Sequence, residues 1–300
     1  MTKQARVVVS AAIGAIGLIA VVSAQTPQIT QNPDAPPTWI PDIKFASGRE
    51  IVPYYEGWIR NPDDSYDLIF GYYNRNQEQE LVIPAGSENS VMPGGPDRGQ
   101  PTYFLAKRQS RMFRLRVPKD FGDKAVTWSL TANGHTEKVI AKLIPAYEKS
   151  ERMMLTNNST GTVFGEEDPN KPPTIATSPT LTAGVNTPVP LMATVTDDGL
   201  PKPRPVPAPK PAAAPTSPEQ ARFQSQRNSS GGRAQLVGTR VTWLEYRGPG
   251  KVTFDSPTVQ VMGDKATTNA RFSVPGTYTL FATATDGKLS TRTQVVVTVK

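Results

Sequence analysis

The chain has 300 residues, among them 30 prolines, 23 glycines and no cysteine. Without cysteine it can form no disulfide bond and cannot carry the acylated cysteine of a lipoprotein. The formal charge of +7 is modest for this length, and the densest basic run, 107–116, alternates with apolar residues. That alternation indicates a strand with a solvated face and argues against a nucleic-acid partner.

Residues 1–24 are predicted to be a secretory signal peptide. Lys3 and Arg6 precede an uncharged stretch at 7–22, and small residues follow it. An uncleaved membrane anchor is the alternative, but it needs about 20 apolar residues, more than this stretch has. We therefore expect an exported protein, periplasmic or extracellular, with membrane contact only through this segment if it stays uncleaved. Residues 25–38 hold four prolines and are predicted to be a disordered tether.

The first predicted domain spans 39–147 and is aromatic-rich, with 15 of the 23 aromatic residues of the chain. Apolar residues alternate along Tyr66–Tyr73 and Val126–Ala132, as expected for strands of a β-sandwich. Asn133-Gly134 follows the second of these and predicts a tight hairpin turn. Residues 84–101 are rich in proline and glycine and are predicted to be a long loop.

Residues 148–173 have the composition of a linker, and 174–300 are predicted to form a second β-sandwich. Its strand pattern is interrupted at 200–235 by a proline-rich stretch followed by a polar tract, which predicts a disordered insertion. Alternation resumes after the insertion, so the insertion interrupts one domain and does not separate two. The predicted fold is therefore all-β, with two immunoglobulin-like sandwiches.

The C-terminal residues resemble a known group of modules. The resemblance lies in Val241-Thr-Trp243, Gly248-Pro249-Gly250, Pro275-Gly276-Thr-Tyr278, Asp286-Gly287 and Val295–Val299. Together they resemble the PKD-like and cadherin-like immunoglobulin-type sandwiches of exported bacterial proteins, over about 100 residues. The resemblance implies a spacer, an adhesion unit or a sugar or protein binder. Trp243 is predicted to fill the space between the two sheets.

Catalytic chemistry finds little support in the sequence. The only histidine, His135, lies in the predicted hairpin turn, and no glycine loop that could hold a phosphate precedes a helix. A glycosidase that uses two carboxylates stays open, although no pair stands out and the acids at 63–67 are typical of a turn. No organic cofactor is expected.

Calcium is the one metal for which the sequence offers ligands. Cadherin-like modules place acids at their domain ends, so the resemblance implies candidates at Asp197, Asp198 and Asp286. Further acids lie in the preceding linker at 166–168.

The sequence therefore favours an exported, non-enzymatic envelope or extracellular protein. It would act as a binding or adhesion module or as a structural spacer, with a protein or polysaccharide partner. The alternative is a carbohydrate-active or carbohydrate-binding protein that uses the aromatic side chains of the first domain. Candidates for that surface are Tyr54, Tyr55, Trp58, Tyr72, Tyr73, Tyr103 and Phe104.

Overall fold

The structure, a computed structural model, describes residues 44–156, 168–202 and 238–300. The predicted signal peptide, tether, linker acids Glu166 and Glu167, and residues 203–235 of the insertion lie outside the described residues. None of the helices in the described part is long and apolar enough to cross a membrane.

Within residues 44–156, the first sandwich contains eight strands. Their bounds are β1 Ile51–Arg60, β2 Tyr66–Asn74, β3 Leu81–Val82, β4 Asn89–Met92, β5 Tyr103–Phe104, β6 Lys107–Val117, β7 Val126–Ala132 and β8 His135–Ala141. One sheet has the order β1-β2-β6, the other has the order β4-β7-β8, and β3 pairs with β5. A 3-10 turn, Pro145–Tyr147, and the short helix α1, Glu151–Leu155, follow.

The core of the first sandwich is aromatic. Phe70 of β2 stacks on Phe113 of β6 at 5.6 Å, and both rings meet Trp128 of β7 edge to face at 6.0 Å. The predicted alternation places these rings between the sheets. The opposite face of β2 is also covered, because Met154 of α1 packs on Ile69.

In this domain the predicted hairpin turn at 133–134 is confirmed, whereas the predicted long loop at 84–101 is wrong in part. Asn133 and Gly134 have φ values of 49° and 81°, as a type I′ hairpin requires, and they join β7 to β8. The predicted loop at 84–101 instead contains β4, whose Val91 is fully buried and whose residues pair with β7. Proline and glycine on both sides of these four residues concealed a short strand.

The described residues of the second sandwich form nine strands. Their bounds are β9 Thr174–Thr177, β10 Thr180–Ala183, β11 Val189–Thr196, β12 Arg240–Arg247, β13 Val252–Phe254, β14 Thr258–Gln260, β15 Lys265–Phe272, β16 Gly276–Thr285 and β17 Ser290–Val299. The sheets have the orders β10-β17-β16-β12-β14 and β13-β15-β11-β9. This arrangement is immunoglobulin-like, with β12, β16 and β17 as the C, F and G strands and the insertion in the B–C connection.

Two side chains give this sandwich further immunoglobulin character. Trp243 on β12 is 2% exposed and lies between the sheets, as predicted. Tyr278, near the start of β16, donates a hydrogen bond of 2.8 Å from its hydroxyl to the carbonyl oxygen of Val274. That contact is the tyrosine corner of immunoglobulin-type domains. Tyr278 belongs to the motif Pro275-Gly276-Thr-Tyr278, which does not by itself reveal this contact.

Candidate functional site

The two sandwiches share a hydrophobic interface within one compact unit, Lys44–Lys300. Alternate residues of β12 and β16 point away from the core of the second sandwich. Among them, Tyr246 and Phe281 are each 4% exposed and belong to the hydrophobic core of the first sandwich. Their rings stack with centroids 4.1 Å apart. The outer face of this sheet is therefore a contact surface, which explains why a phenylalanine lies among the outward threonines of β16.

The turn-rich stretch of the first sandwich provides the polar part of this interface. The hydroxyl of Tyr246 donates to the carbonyl oxygen of Gly99 at 2.5 Å, and the amide of Thr102 donates to the carbonyl oxygen of Tyr246 at 3.2 Å. Arg247 forms an ion pair of 2.7 Å with Asp97. The turn-rich stretch therefore contacts the second sandwich of the same chain.

A buried amide network holds this stretch in place. The Asn89 side chain donates to the carbonyl oxygens of Ile83 and Pro101, at 2.9 and 2.8 Å, and accepts from the indole of Trp128 at 3.0 Å. Gln100, also fully buried, donates to the carbonyl oxygen of Asn89 at 3.0 Å. Buried amides that satisfy their partners in this way fix one conformation of the chain.

Beside the interface lies a groove of ≈ 890 Å³, which we call the arginine groove. One wall is the outer face of β12, β16 and β17, and the other is formed by β6, α1 and the loop at Arg98 and Gly99. Among the described residues, six arginines line it together with a single carboxylate, that of Glu151; the arginines are Arg98, Arg111, Arg114, Arg240, Arg247 and Arg292. The remaining lining consists of threonine, serine, glutamine, glycine and apolar side chains.

The arginines differ in how their charges are compensated. Arg114 forms an ion pair with Glu151 at 3.1 Å, and Arg247 pairs with Asp97. Arg98 donates instead to the carbonyl oxygen of Pro93, at 2.5 Å. In the part of the chain that the structure describes, Arg98 forms no ion pair with a carboxylate.

Arg111 and Arg292 meet at the floor of the groove. Arg292 donates to the carbonyl oxygen of Arg111 at 2.9 Å, while the Arg111 guanidinium donates to the carbonyl oxygens of Met154 and Thr156. Neither guanidinium forms an ion pair with a carboxylate of residues 44–156, 168–202 or 238–300. Among the described residues, their positive charges are therefore compensated by backbone carbonyls and by the nearby carboxylate of Glu56, with which they form no ion pair.

The surroundings of Arg111 and Arg292 lower the pKa of both guanidinium groups. Crowding by protein atoms, and then the charge of Arg111, lower the pKa of the Arg292 guanidinium to about 10. Burial likewise lowers the pKa of Arg111. The side chain of Arg292 is nevertheless exposed, because it lies in an open groove, so water moderates the effect. Both groups are charged at neutral pH, and a bound anion would be stabilised by them.

A buried glutamate lies near this floor. Glu56 on β1 accepts a hydrogen bond from the backbone amide of Arg111, where β6 bulges and Arg111 has a φ of 53°. Burial raises the pKa of the Glu56 carboxyl, although its contacts with Arg111 oppose this effect. Glu56 thus holds the bulge that directs the Arg111 side chain, a role that the sequence did not reveal.

The predicted calcium ligands have protein partners. Asp198 accepts from the backbone amides of Lys171 and Leu200, both at 2.9 Å, and Asp197 accepts from the hydroxyl of Thr239. Asp286 accepts from the side chain of Asn170 at 2.9 Å and from two amides of its own turn. In the described ranges, no three acids or histidines form a group that could hold a metal ion.

The features expected of a carbohydrate enzyme do not converge in the arginine groove. The rings of Phe113, Tyr246 and Phe281 line it but are buried, and Arg292 lies over Phe281 at 4.7 Å. The one groove carboxylate among the described residues is already paired with Arg114.

Other residues considered from the sequence lie outside the groove. Tyr73, on an outward position of β2, is 41% exposed, as the adjacent Tyr72-Tyr73 pair predicts, while Tyr72 is fully buried. His135 is exposed at the start of β8.

Comparison with known proteins gives no family. No protein-family model and no curated protein matches the chain. The solved structures to which it is similar include a chimeric titin Z1Z2-Z1Z2 tandem, with 10% identity, a TM-score of 0.23 and coverage of 83% of this chain and 99% of that one. For domains 4 and 5 of the S-layer protein SbsC the values are 10%, 0.25, 84% and 98%, and for the D00-D0 domain of intimin they are 11%, 0.23, 83% and 99%. These TM-scores are low, and the immunoglobulin-like assignment depends on the strand order and the tyrosine corner.

Proposed function

We propose that this chain acts outside the cytoplasm as a non-enzymatic binding module, in which two immunoglobulin-like sandwiches are fixed against each other. The observation that carries the proposal is the stack of Tyr246 on Phe281 within the core of the first sandwich. Burial of a single phenylalanine stabilises by about 1.5–3 kcal/mol, so this contact favours one orientation of the two sandwiches. Tandem domains that serve only as spacers would not need a buried interface between them.

Export is the second part of the proposal. It is supported by the pattern at 1–24 and agrees with a chain that has no cysteine to protect or to pair. The second sandwich would be a PKD-like or cadherin-like module that contributes one wall of a binding surface. Asp197, Asp198 and Asp286 stay calcium candidates within this proposal, and calorimetric titration with millimolar calcium tests them.

The fixed orientation is tested with Phe281→Ala. Phe281 lies outside the core of its own sandwich, so its loss should release the two sandwiches without unfolding either. We expect small-angle scattering to give a larger radius of gyration for this variant than for the wild type. The matched control is Phe254→Ala, which removes a partly buried ring of the second sandwich away from the interface and should leave the radius unchanged.

Two results would contradict the proposal. If the wild type already scatters as two independently oriented bodies, the interface does not hold in solution. If the protein expressed with its first 24 residues stays in the cytoplasm with Met1 retained, export is wrong. N-terminal sequencing of the cell-envelope fraction settles the second point, and we expect it to begin at Gln25.

A further inference from the structure

We infer that the arginine groove binds an extended acidic segment of a protein partner. This inference rests on the proposed binding function and assigns to it a site and a class of ligand. Six guanidinium groups line one groove, and among the described residues three of them, those of Arg98, Arg111 and Arg292, form no ion pair with a carboxylate. A protein that keeps several like charges together pays for their repulsion unless an opposite charge arrives, and carboxylates are the natural partners of guanidinium groups.

The groove is long enough for several residues of extended chain. It follows the outer side of β12 from Arg240 to Arg247, seven residue steps, which corresponds to roughly 23 Å. An extended peptide of about seven residues would span it at about 3.3 Å per residue. The volume of ≈ 890 Å³ is in keeping with a segment of that kind.

The arginines that form no ion pair in the described residues lie in two places along this length. Arg98 is beside Gly99, which accepts from the Tyr246 hydroxyl near the end of β12. Arg292 bonds to Thr283, which pairs with Thr242 near the beginning of β12. Arg111 lies with Arg292. Thr242 and Tyr246 are four residue steps apart on β12, roughly 13 Å, which predicts a ligand whose carboxylates form two groups separated by about four residues.

The lining favours a peptide over a glycan. Sugar rings in protein sites stack on open aromatic faces, whereas the rings of this groove are buried or covered by Arg292. Between the arginines lie the partly buried Leu244 and the hydroxyls of Thr242 and Thr283. Apolar side chains and backbone amides of a peptide suit such a surface, and acidic side chains suit the arginines.

The test measures binding of two labelled octapeptides of equal composition to the purified full chain by fluorescence anisotropy. One has two glutamates at each end with valine and threonine between, and the other has its four glutamates in the centre. We expect tighter binding of the first, and an affinity that falls as salt is raised. Arg98→Gln and Arg292→Gln should each weaken it about tenfold, since each removes a charge-assisted hydrogen bond.

The matched control is Arg271→Gln, which removes a guanidinium paired with Asp255 on the opposite sheet of the second sandwich. It should bind like the wild type. Should Arg292→Gln fail to fold, Arg98→Gln carries the test, because Arg98 belongs to a loop and its hydrogen bonds within the described residues are to that loop alone.

Three outcomes overturn the inference. In the first, Arg98→Gln binds the peptide as the wild type does, or Arg271→Gln weakens it equally, so that binding is a property of the overall charge. In the second, the two peptides bind equally well. In the third, polygalacturonate binds more tightly than either peptide and loses affinity in Arg98→Gln, so that the groove takes an acidic glycan. None of these changes the scattering of the unliganded protein, so failure here is distinguishable from failure of the fixed two-sandwich arrangement.

Discussion

Glu245 should make the stability of the protein fall as pH rises. This residue of β12 is 1% exposed, and the period of two along the strand turns it inward beside Trp243. One carboxyl oxygen accepts from the amide of Val252 at 2.8 Å, while the other is buried without a partner. Burial raises the pKa of Glu245 to about 8, against the hydrogen bond from Val252, which lowers it.

The sign follows from proton linkage. The folded protein holds the Glu245 proton up to about pH 8, whereas the unfolded chain releases it near its ordinary pKa of 4.5. Between these values the folded state binds more protons, so the free energy of unfolding decreases with pH. A pKa difference of this size between the folded and unfolded states lowers the free energy of unfolding by roughly 4 kcal/mol between about pH 5 and about pH 9.

Glu245→Gln removes this titration while keeping an oxygen that can accept from Val252. We expect the variant and the wild type to have similar free energies of unfolding at about pH 5, with the variant more stable by several kcal/mol at about pH 9. Urea unfolding at both pH values measures the difference. Glu88→Gln, at an exposed position, is the control and should show no such divergence. Parallel curves for Glu245→Gln and the wild type would refute the reasoning.

Three further changes test the packing by urea or thermal unfolding. Gly71→Ala places a Cβ 2.5 Å from the Tyr54 ring and 2.6 Å from the backbone oxygen of Gln109, and should cost about 1–3 kcal/mol; an unchanged midpoint would mean that β1 and β6 can yield. Tyr278→Phe removes the tyrosine-corner hydrogen bond and should cost about 1 kcal/mol, with Tyr73→Phe at an exposed position as control. Asn89→Ala leaves three buried polar groups unpaired and should cost at least about 3 kcal/mol; a loss below about 1 kcal/mol would contradict its role as an anchor.

Much of the fold was predictable because its signals are local. Asn133-Gly134 specifies a tight turn, and the alternation along Gly276–Thr285 specifies a strand, without reference to distant residues. Trp243 could be assigned to the core from its neighbours on the strand. Glu245 shares the inward period of Trp243, so its burial was readable in principle. The short β4 was not, since its four residues form a strand only because β7 pairs with them.

The arginine groove was beyond local patterns for a different reason. Its walls come from both sandwiches, and Arg98 and Arg292 are far apart in sequence. On β17, Arg292 lies between two threonines and has the ordinary appearance of an exposed strand residue. Only docking of the outer face of β12 and β16 on the first sandwich places it beside Arg111. The phenylalanine among the outward threonines was the one sequence sign that this face would be covered.

The interface and the groove are therefore two parts of one arrangement. The stack of Tyr246 on Phe281 sets the position of Arg292, on one sandwich, relative to Arg98, on the other. A ligand that needs both arginines would sense any change in that separation, because charge-assisted hydrogen bonds depend on close approach. Phe281→Ala alters the separation without removing a charge, whereas Arg98→Gln removes a charge and leaves the stack intact. The first variant therefore tests the rigid arrangement of the two sandwiches, and the second tests the contribution of the groove charges to binding.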